Sequence, residues 1–205
     1  MRQFNLLIKR IIDILGSSVG IIILSPILII ISLVIKLTSK GPVFFRQERL
    51  GRNGKVFKII KFRTMVNNAE KVGTGIQTYD GDPRITKVGD ILRKTSLDEL
   101  PQLFNVMAGS MSIVGPRPPV PYHPREYKDY PEHQIQRFEV KPGITGYAQV
   151  KGRNLLTWDE RIKYDVEYVK KQSILLDLKI IILTVVKVFK KEDIHSENNR
   201  KEDAQ

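Results

Sequence analysis

From Ile11 to Ile35 the chain is dominated by Ile, Leu and Val. Such a run predicts one long helix, and at ~1.5 Å rise per residue it extends about 37 Å, enough to reach across a bilayer. Downstream the apolar runs shorten. Val43–Gln47 and Val56–Met65 read as short strands around Gly51-Arg52-Asn53-Gly54, a small hairpin with Lys61 and Arg63 on one face. Residues 67–82 are polar and carry Gly73, Gly75 and Gly81, the composition of a flexible loop or lid. Val88, Leu92 and Arg93 predict a helix. Leu100, Leu103, Phe104 and Met107 recur at helical spacing and predict another, with that face buried. Two proline-stiffened turns follow, Gly115-Pro116-Arg117-Pro118-Pro119 and Lys141-Pro142-Gly143-Ile144-Thr145-Gly146. A short strand over Tyr147–Val150 and a charged helix over Trp158–Lys171 come next. Ile174–Phe189 is apolar but holds Asp177, Lys179 and Lys187, so it reads as an interfacial helix, with a core helix as the alternative. Residues 191–205 are polar and read as a disordered tail.

The first run is not a plain membrane span. Lys9 and Arg10 flank one end, Lys36 and Lys40 the other, so both ends ask for the cytoplasm. Pro26 sits mid-run, and the Ser25 hydroxyl is placed to satisfy backbone that the proline frees. Asp13 lies inside the run, with Lys9 on the same helix face as its partner at headgroup level. Two readings stay open: a kinked hairpin that enters and leaves on one face, or a bitopic helix bent at proline. Either way the bulk of the chain is cytoplasmic. No small-x-small site follows the run, which argues against a cleaved signal peptide.

Charge narrows the partners. The 205 residues carry 34 basic against 22 acidic side chains, a formal net charge of +12. That balance points to an anionic partner: nucleic acid, an anionic membrane face or a phosphorylated substrate. No cysteine is present, which excludes disulfides, thiolate metal sites and a cysteine nucleophile. The three histidines lack metal-ligand spacing. Neither a Walker A nor a GxGxxG pattern occurs.

The candidate chemistry centres on Thr95-Ser96-Leu97-Asp98-Glu99-Leu100-Pro101-Gln102. Pro101 is tolerated in a first helical turn, which puts Asp98 and Glu99 at a helix N-terminus. Ser96-x-x-Glu99 matches a capping box, so both acids have a purely structural explanation. The other explanation is an acid pair, one carboxylate attacking or binding metal and the other tuning it. Arg93 is near enough in sequence to pair with Glu99. Arg117, between prolines, presents a guanidinium at fixed geometry suited to phosphate, and Lys61 is a second candidate for phosphate.

Taken in order, Lys9-Arg10-x-x-Asp13, Ser25-Pro26, Lys61-Phe62-Arg63-Thr64-Met65, Ser96–Gln102, Gly115–Pro118 and Lys141–Gly146 resemble the monotopic phosphoglycosyl transferases of the bacterial sugar transferase family. The resemblance runs from about Lys9 to the late 180s, and the length is like that of the minimal form. It implies an α-rich α+β fold: a re-entrant membrane helix-break-helix over 1–40, broken at Ser25 and Pro26, and a cytosolic membrane-associated catalytic domain over 41–190. Interfacial amphipathic helices and short strands belong to that domain. It further implies transfer of a sugar 1-phosphate from a UDP-sugar to polyprenyl phosphate, with release of UMP, at the cytoplasmic face of the bacterial inner membrane. The carried-over roles are Asp98 as nucleophile and magnesium ligand, Glu99 as its acidic neighbour, and Lys61, Arg93 and Arg117 in phosphate or ion-pair roles. The implied partners are the UDP-sugar, polyprenyl phosphate and the phospholipid bilayer, without nucleic acid; a homodimer is left open. Gly143–Arg153 is the provisional uridine pocket. The rival readings are a membrane-anchored basic adaptor or a nucleic-acid-binding protein, but no reader fold or stacking face is evident.

Overall fold

The computed structural model describes residues 2–75, 78–79, 81–152 and 155–190. The expected tail over 191–205 lies outside them. The architecture is α+β, with two two-stranded sheets and seven α-helices among the described residues.

Helix α1 (Arg2–Thr38) is unbroken by secondary structure, with Pro26 inside it. Pro26 has no N–H to offer the Ile22 carbonyl, and Ser25 Oγ donates to that carbonyl at 2.8 Å. One face of α1 packs on the rest of the chain along nearly its whole length. Asp13, Ser17, Leu28, Ile31 and Ile35 are buried, at helical spacing. Gly20 lets Leu103 approach the helix. The opposite face is bare: Leu15, Ile22, Ile23, Ile30 and Leu37 are each 60% exposed or more.

The hydroxyls of α1 bond carbonyls of the helix itself, whereas Lys9, Arg10 and Asp13 find partners across the fold. Lys9 Nζ is 2.6 Å from Asp177 Oδ2. Asp13 accepts from Ser112 Oγ at 3.1 Å and from the Ile113 amide at 3.0 Å. The expected Lys9–Asp13 pair is therefore not made. Burial of that face offers Asp13 the fixed donors of Ser112 and Ile113, and Lys9 is taken by Asp177 instead.

Strands β1 (Phe44–Leu50) and β2 (Val56–Phe62) form the expected antiparallel hairpin, with Phe45 opposite Lys61 and Arg49 opposite Phe57. Helix α2 (Lys87–Lys94) follows, capped by Thr86, and then α3 (Gln102–Ala108). Of the predicted face of α3, Leu100, Leu103 and Phe104 are half-buried and Met107 is 45% exposed, while the fully buried residues are Gln102, Asn105 and Val106. Asn105 docks the helix, its carboxamide accepting from the Ile60 amide and donating to the Lys58 carbonyl. It thereby occupies the free edge of β2 as a third strand would.

Strand β3 (Ser112–Val114) pairs in parallel with β4 (Gly143–Thr145), and the short α4 (Glu132–Ile135) lies between them in sequence. Residues Tyr147–Lys151 form a helix, α5, where a strand was predicted. The ladder cannot continue there, because Pro116 follows the end of β3 and offers no N–H. The charged segment forms α6 (Trp158–Lys171), opened by a capping box of Thr157 and Glu160. Helix α7 (Ile174–Lys190) buries Ile180 with Val114, Val140 and Tyr168 in one core cluster. Its other face is bare, with Leu175 79% and Ile182 63% exposed. The long apolar α1 and the bare face of α7 suit association with a membrane.

Candidate active site

Between α2 and α3 the chain turns sharply. Ser96 takes a left-handed conformation, φ 58°, and Leu97–Glu99 form one 3-10 turn before Pro101 opens α3. A non-glycine residue there carries strain of about 1 kcal/mol or more. Ser96 makes no side-chain cap, so the expected Ser96–Glu99 capping box is absent. The reason lies with Glu99, whose Oε1 is taken by Lys61 Nζ at 2.7 Å and Arg117 Nη2 at 2.9 Å. Lys61 arrives from the end of β2, which Asn105 ties to α3. Arg117 arrives from the loop after β3.

The two neighbouring acids sit in different environments. Burial tends to raise the Glu99 carboxyl, but Arg117 and Lys61 outweigh it and hold the group well below the ordinary carboxylate range. Arg117 is shifted up in turn, mainly by Glu99. Asp98 is pushed up to about 6, chiefly by burial, with Lys61 opposing and the Glu99 charge adding. Adjacent carboxyls driven apart in this way are a recurring mark of reacting sites.

Asp98 lines a cavity of about 840 Å³ that also touches Lys61, Arg93, Arg49, His123 and Trp158. Arg93 does not pair with Glu99. Its Nη2 bonds Thr78 Oγ1 at 3.0 Å, while Lys61 and Arg117 take Glu99 in its place. Its charge still reaches Asp98 and favours the ionised carboxylate. Arg63 separates from Lys61: its Nη2 bonds the carbonyl and hydroxyl of Ser39 at the end of α1. Position 63 lies past the last strand residue, so the expected shared face ends before it.

Some functional side chains escaped sequence reasoning. Arg49 stands on the cavity wall and bonds Gln47 and the Pro118 carbonyl. Burial and the neighbouring Arg117 lower its pKa to about 10. Its signal was available in the hairpin, since Arg49 lies four residues from Phe45, an even spacing that puts both on one face of the strand, and Phe45 pairs with Lys61. Arg84 is the other. Its Nη1 bonds the carbonyls of Ala69, Val72 and Gly75, and Asp82 pairs with it at 2.7 Å. The expected flexible lid is therefore tied down over 69–75; residues 76, 77 and 80 lie outside the described residues.

The profile described as "Bacterial sugar transferase" matches residues 4–191. The chain belongs to the bacterial sugar transferase family. It is 50% identical over 196 residues to a UDP-glucose:undecaprenyl-phosphate glucose-1-phosphate transferase of Klebsiella pneumoniae, covering 92% of this chain and 42% of that protein. It is 43% identical over 195 residues to the uncharacterized sugar transferase EpsL of Bacillus subtilis (strain 168), covering 95% and 93%. The galactosyl transferase CpsE of Streptococcus agalactiae is 43% identical over 192 residues, with 88% and 42% covered. The chain thus spans about two-fifths of the length of the first of these relatives.

Within this family member, Arg49, Lys61, Arg93 and Arg117 set four cations around two carboxylates, Asp98 and Glu99. The excess suits a diphosphate. No cluster of three or more metal-ligating side chains occurs among the described residues. A magnesium ion fits this donor set when the substrate supplies phosphate oxygens and Asp98 the carboxylate, since Glu99 Oε1 is held by two cations. Of the provisional uridine pocket, Gly143–Gly152 do not line the cavity beside Asp98, and Arg153 lies outside the described residues. The walls around the cavity come instead from the hairpin, the 64–71 segment, His123 and Trp158.

Proposed function

We propose that this sugar transferase moves a sugar 1-phosphate from a UDP-sugar to a polyprenyl phosphate at the cytoplasmic face of the bacterial inner membrane. The observation that carries the reading is the split acid pair: Glu99 locked between Lys61 and Arg117, Asp98 free on the cavity wall with a raised pKa. A carboxylate in that setting is a nucleophile held beside fixed positive charge.

The first step joins an Asp98 oxygen to the phosphorus next to the sugar. The bond from that phosphorus to the bridging oxygen breaks, and UMP leaves with the electron pair. The product is an acyl phosphate on Asp98. An oxygen of the polyprenyl phosphate then attacks the same phosphorus and the acyl-phosphate bond breaks, restoring the carboxylate. Glu99 stays ionised throughout and holds Lys61 and Arg117 in place against the incoming charge. Arg93 and Arg49 offset the negative charge of the diphosphate from the cavity wall. Magnesium, held by Asp98 and phosphate oxygens, would neutralise charge on the leaving UMP.

The membrane geometry follows from α1. Lys9 and Asp13 at one end and Ile35 at the other are all packed on the same domain. That both ends of the apolar run pack on one domain supports a re-entrant seat for α1 and an active site at headgroup depth. The relatives named for undecaprenyl-phosphate transfer support the acceptor.

The test is direct. UDP-sugar labelled in the phosphate next to the sugar and supplied without acceptor leaves label on the protein, and Asp98→Asn removes it. Full turnover by correctly folded Asp98→Asn overturns the nucleophile assignment. A wild-type protein that releases no UMP from any UDP-sugar, with magnesium and a polyprenyl phosphate present, overturns the reading as a whole.

A further inference from the structure

The loop that carries Arg117 is built almost without backbone donors. Pro116, Pro118 and Pro119 have no N–H, so residues 116–119 cannot join a ladder of their own. Their four carbonyls are instead held one by one, by the Gly143 amide at 3.0 Å, Arg137 Nη2 at 2.9 Å, Arg49 Nη1 at 3.1 Å and the Leu50 amide at 2.9 Å. Every residue from Gly115 to Val120 is buried except Arg117. The result is a segment clamped along its backbone from which one guanidinium projects to Glu99.

Arg137 is itself held from beneath. Its Nη2 lies 2.6 Å from Asp165 Oδ2 on α6, and both side chains are 2% exposed. Its Nε and Nη1 are buried with no partner among the described residues. Breaking such a pair is costly, yet an apolar replacement of both partners is frequently neutral or better for stability. Net stability is therefore a poor account of it, whereas fixed geometry at the Arg117 carbonyl is a good one.

We propose that Arg137, anchored by Asp165, and Arg49 are positioning residues that aim Arg117 at Glu99 by gripping consecutive carbonyls of its loop. Arg137 and Asp165 do not line the cavity and act only through the loop, whereas Arg49 adds this grip to its place on the cavity wall. The proposal rests on the transferase reading for its catalytic consequence, while the clamp itself is a statement about the loop.

The experiment uses the full chain in detergent or lipid discs, with Arg137→Lys and Asp165→Asn each made alone and in an Arg117→Ala background. Displacement of a positioned group by about 1 Å can cost on the order of 10²-fold in rate. Each single variant should therefore lose about 10–100-fold in kcat, with a smaller change in KM. In the Arg117→Ala background the same changes should add almost nothing, because the group they aim is gone. Hydrogen exchange over residues 112–120 should be faster in both variants, measured without substrate. Additive losses in kcat together with unchanged exchange overturn the clamp and leave the transferase reading intact. A wild-type chain inert toward every UDP-sugar sinks the transferase reading instead, and the exchange measurement still decides the clamp. If Asp165→Asn fails to fold, Arg137→Lys, which keeps the charge, carries the same cycle.

Discussion

The carboxamide oxygen of Asn105 accepts the amide of Ile60 at 2.9 Å, although the two are 45 residues apart in sequence. With the Lys58 carbonyl bound by the same side chain, one residue of α3 closes the edge of β2 and so brings Lys61 to Glu99. Asn105→Leu leaves both strand groups without their partner. The expected cost is roughly 1–3 kcal/mol of stability, read as a lower midpoint of unfolding, with a loss of turnover larger than the stability change explains. An unchanged midpoint would show that water replaces the carboxamide freely.

Under the proposed mechanism Asp98 should set the acid limb of the pH profile. Burial favours its neutral form, so it takes up a proton as pH falls through about 6. Because the ionised form attacks, kcat/KM should be level above that value and fall about tenfold per pH unit below it. A profile flat down to pH 4.5 would contradict the assignment.

Glu99→Gln removes the partner of Lys61 and Arg117 together. Turnover should drop at least ~10²-fold, as for other losses of fixed electrostatic groups. The sign of the accompanying pH shift is also determined. The Glu99 charge raises the Asp98 pKa while Lys61 and Arg117 lower it, so neutralising Glu99 moves the acid limb to lower pH. A limb that moves upward would mean that the two cations had swung away from Asp98.

Magnesium removal should stop UMP release, and restoring the ion should recover it. The donor set beside Asp98 holds too few protein ligands to retain the ion through dialysis against chelator without substrate. Full activity after such treatment, in chelator, would exclude a magnesium-assisted step.

The seat of α1 can be tested cleanly because the chain has no cysteine. Single cysteines placed at Asn5 and Lys40 should both react with a membrane-impermeant maleimide from the cytoplasmic side of sealed vesicles. Reaction of one from each side would establish a crossing helix and end the monotopic reading.

Much of the fold was legible in the order of residues because local rules govern it. The hairpin, α2, α6 and the long apolar helix follow from two- and 3.6-residue periodicity, and the Ser25 hydroxyl on the Ile22 carbonyl follows from the proline beside it. Periodicity failed where polar side chains do the packing. Asn105 and Gln102 are buried on α3 while Met107 is exposed, because the helix docks on a strand edge that a hydrophobicity pattern does not record.

The sequence by itself determined the family, the acid pair, the proline-bounded arginine and the apolar run, all of them features carried by residue type and spacing. Tertiary structure alone decided which partner each charged group meets: Lys61 and Arg117 on Glu99, Arg93 on Thr78, Lys9 on Asp177, Asp13 on the β3 backbone. Ion pairing depends on distances of a few ångströms between chain-distant groups and on the burial that removes competing water. Neither quantity exists until the helices and strands have packed.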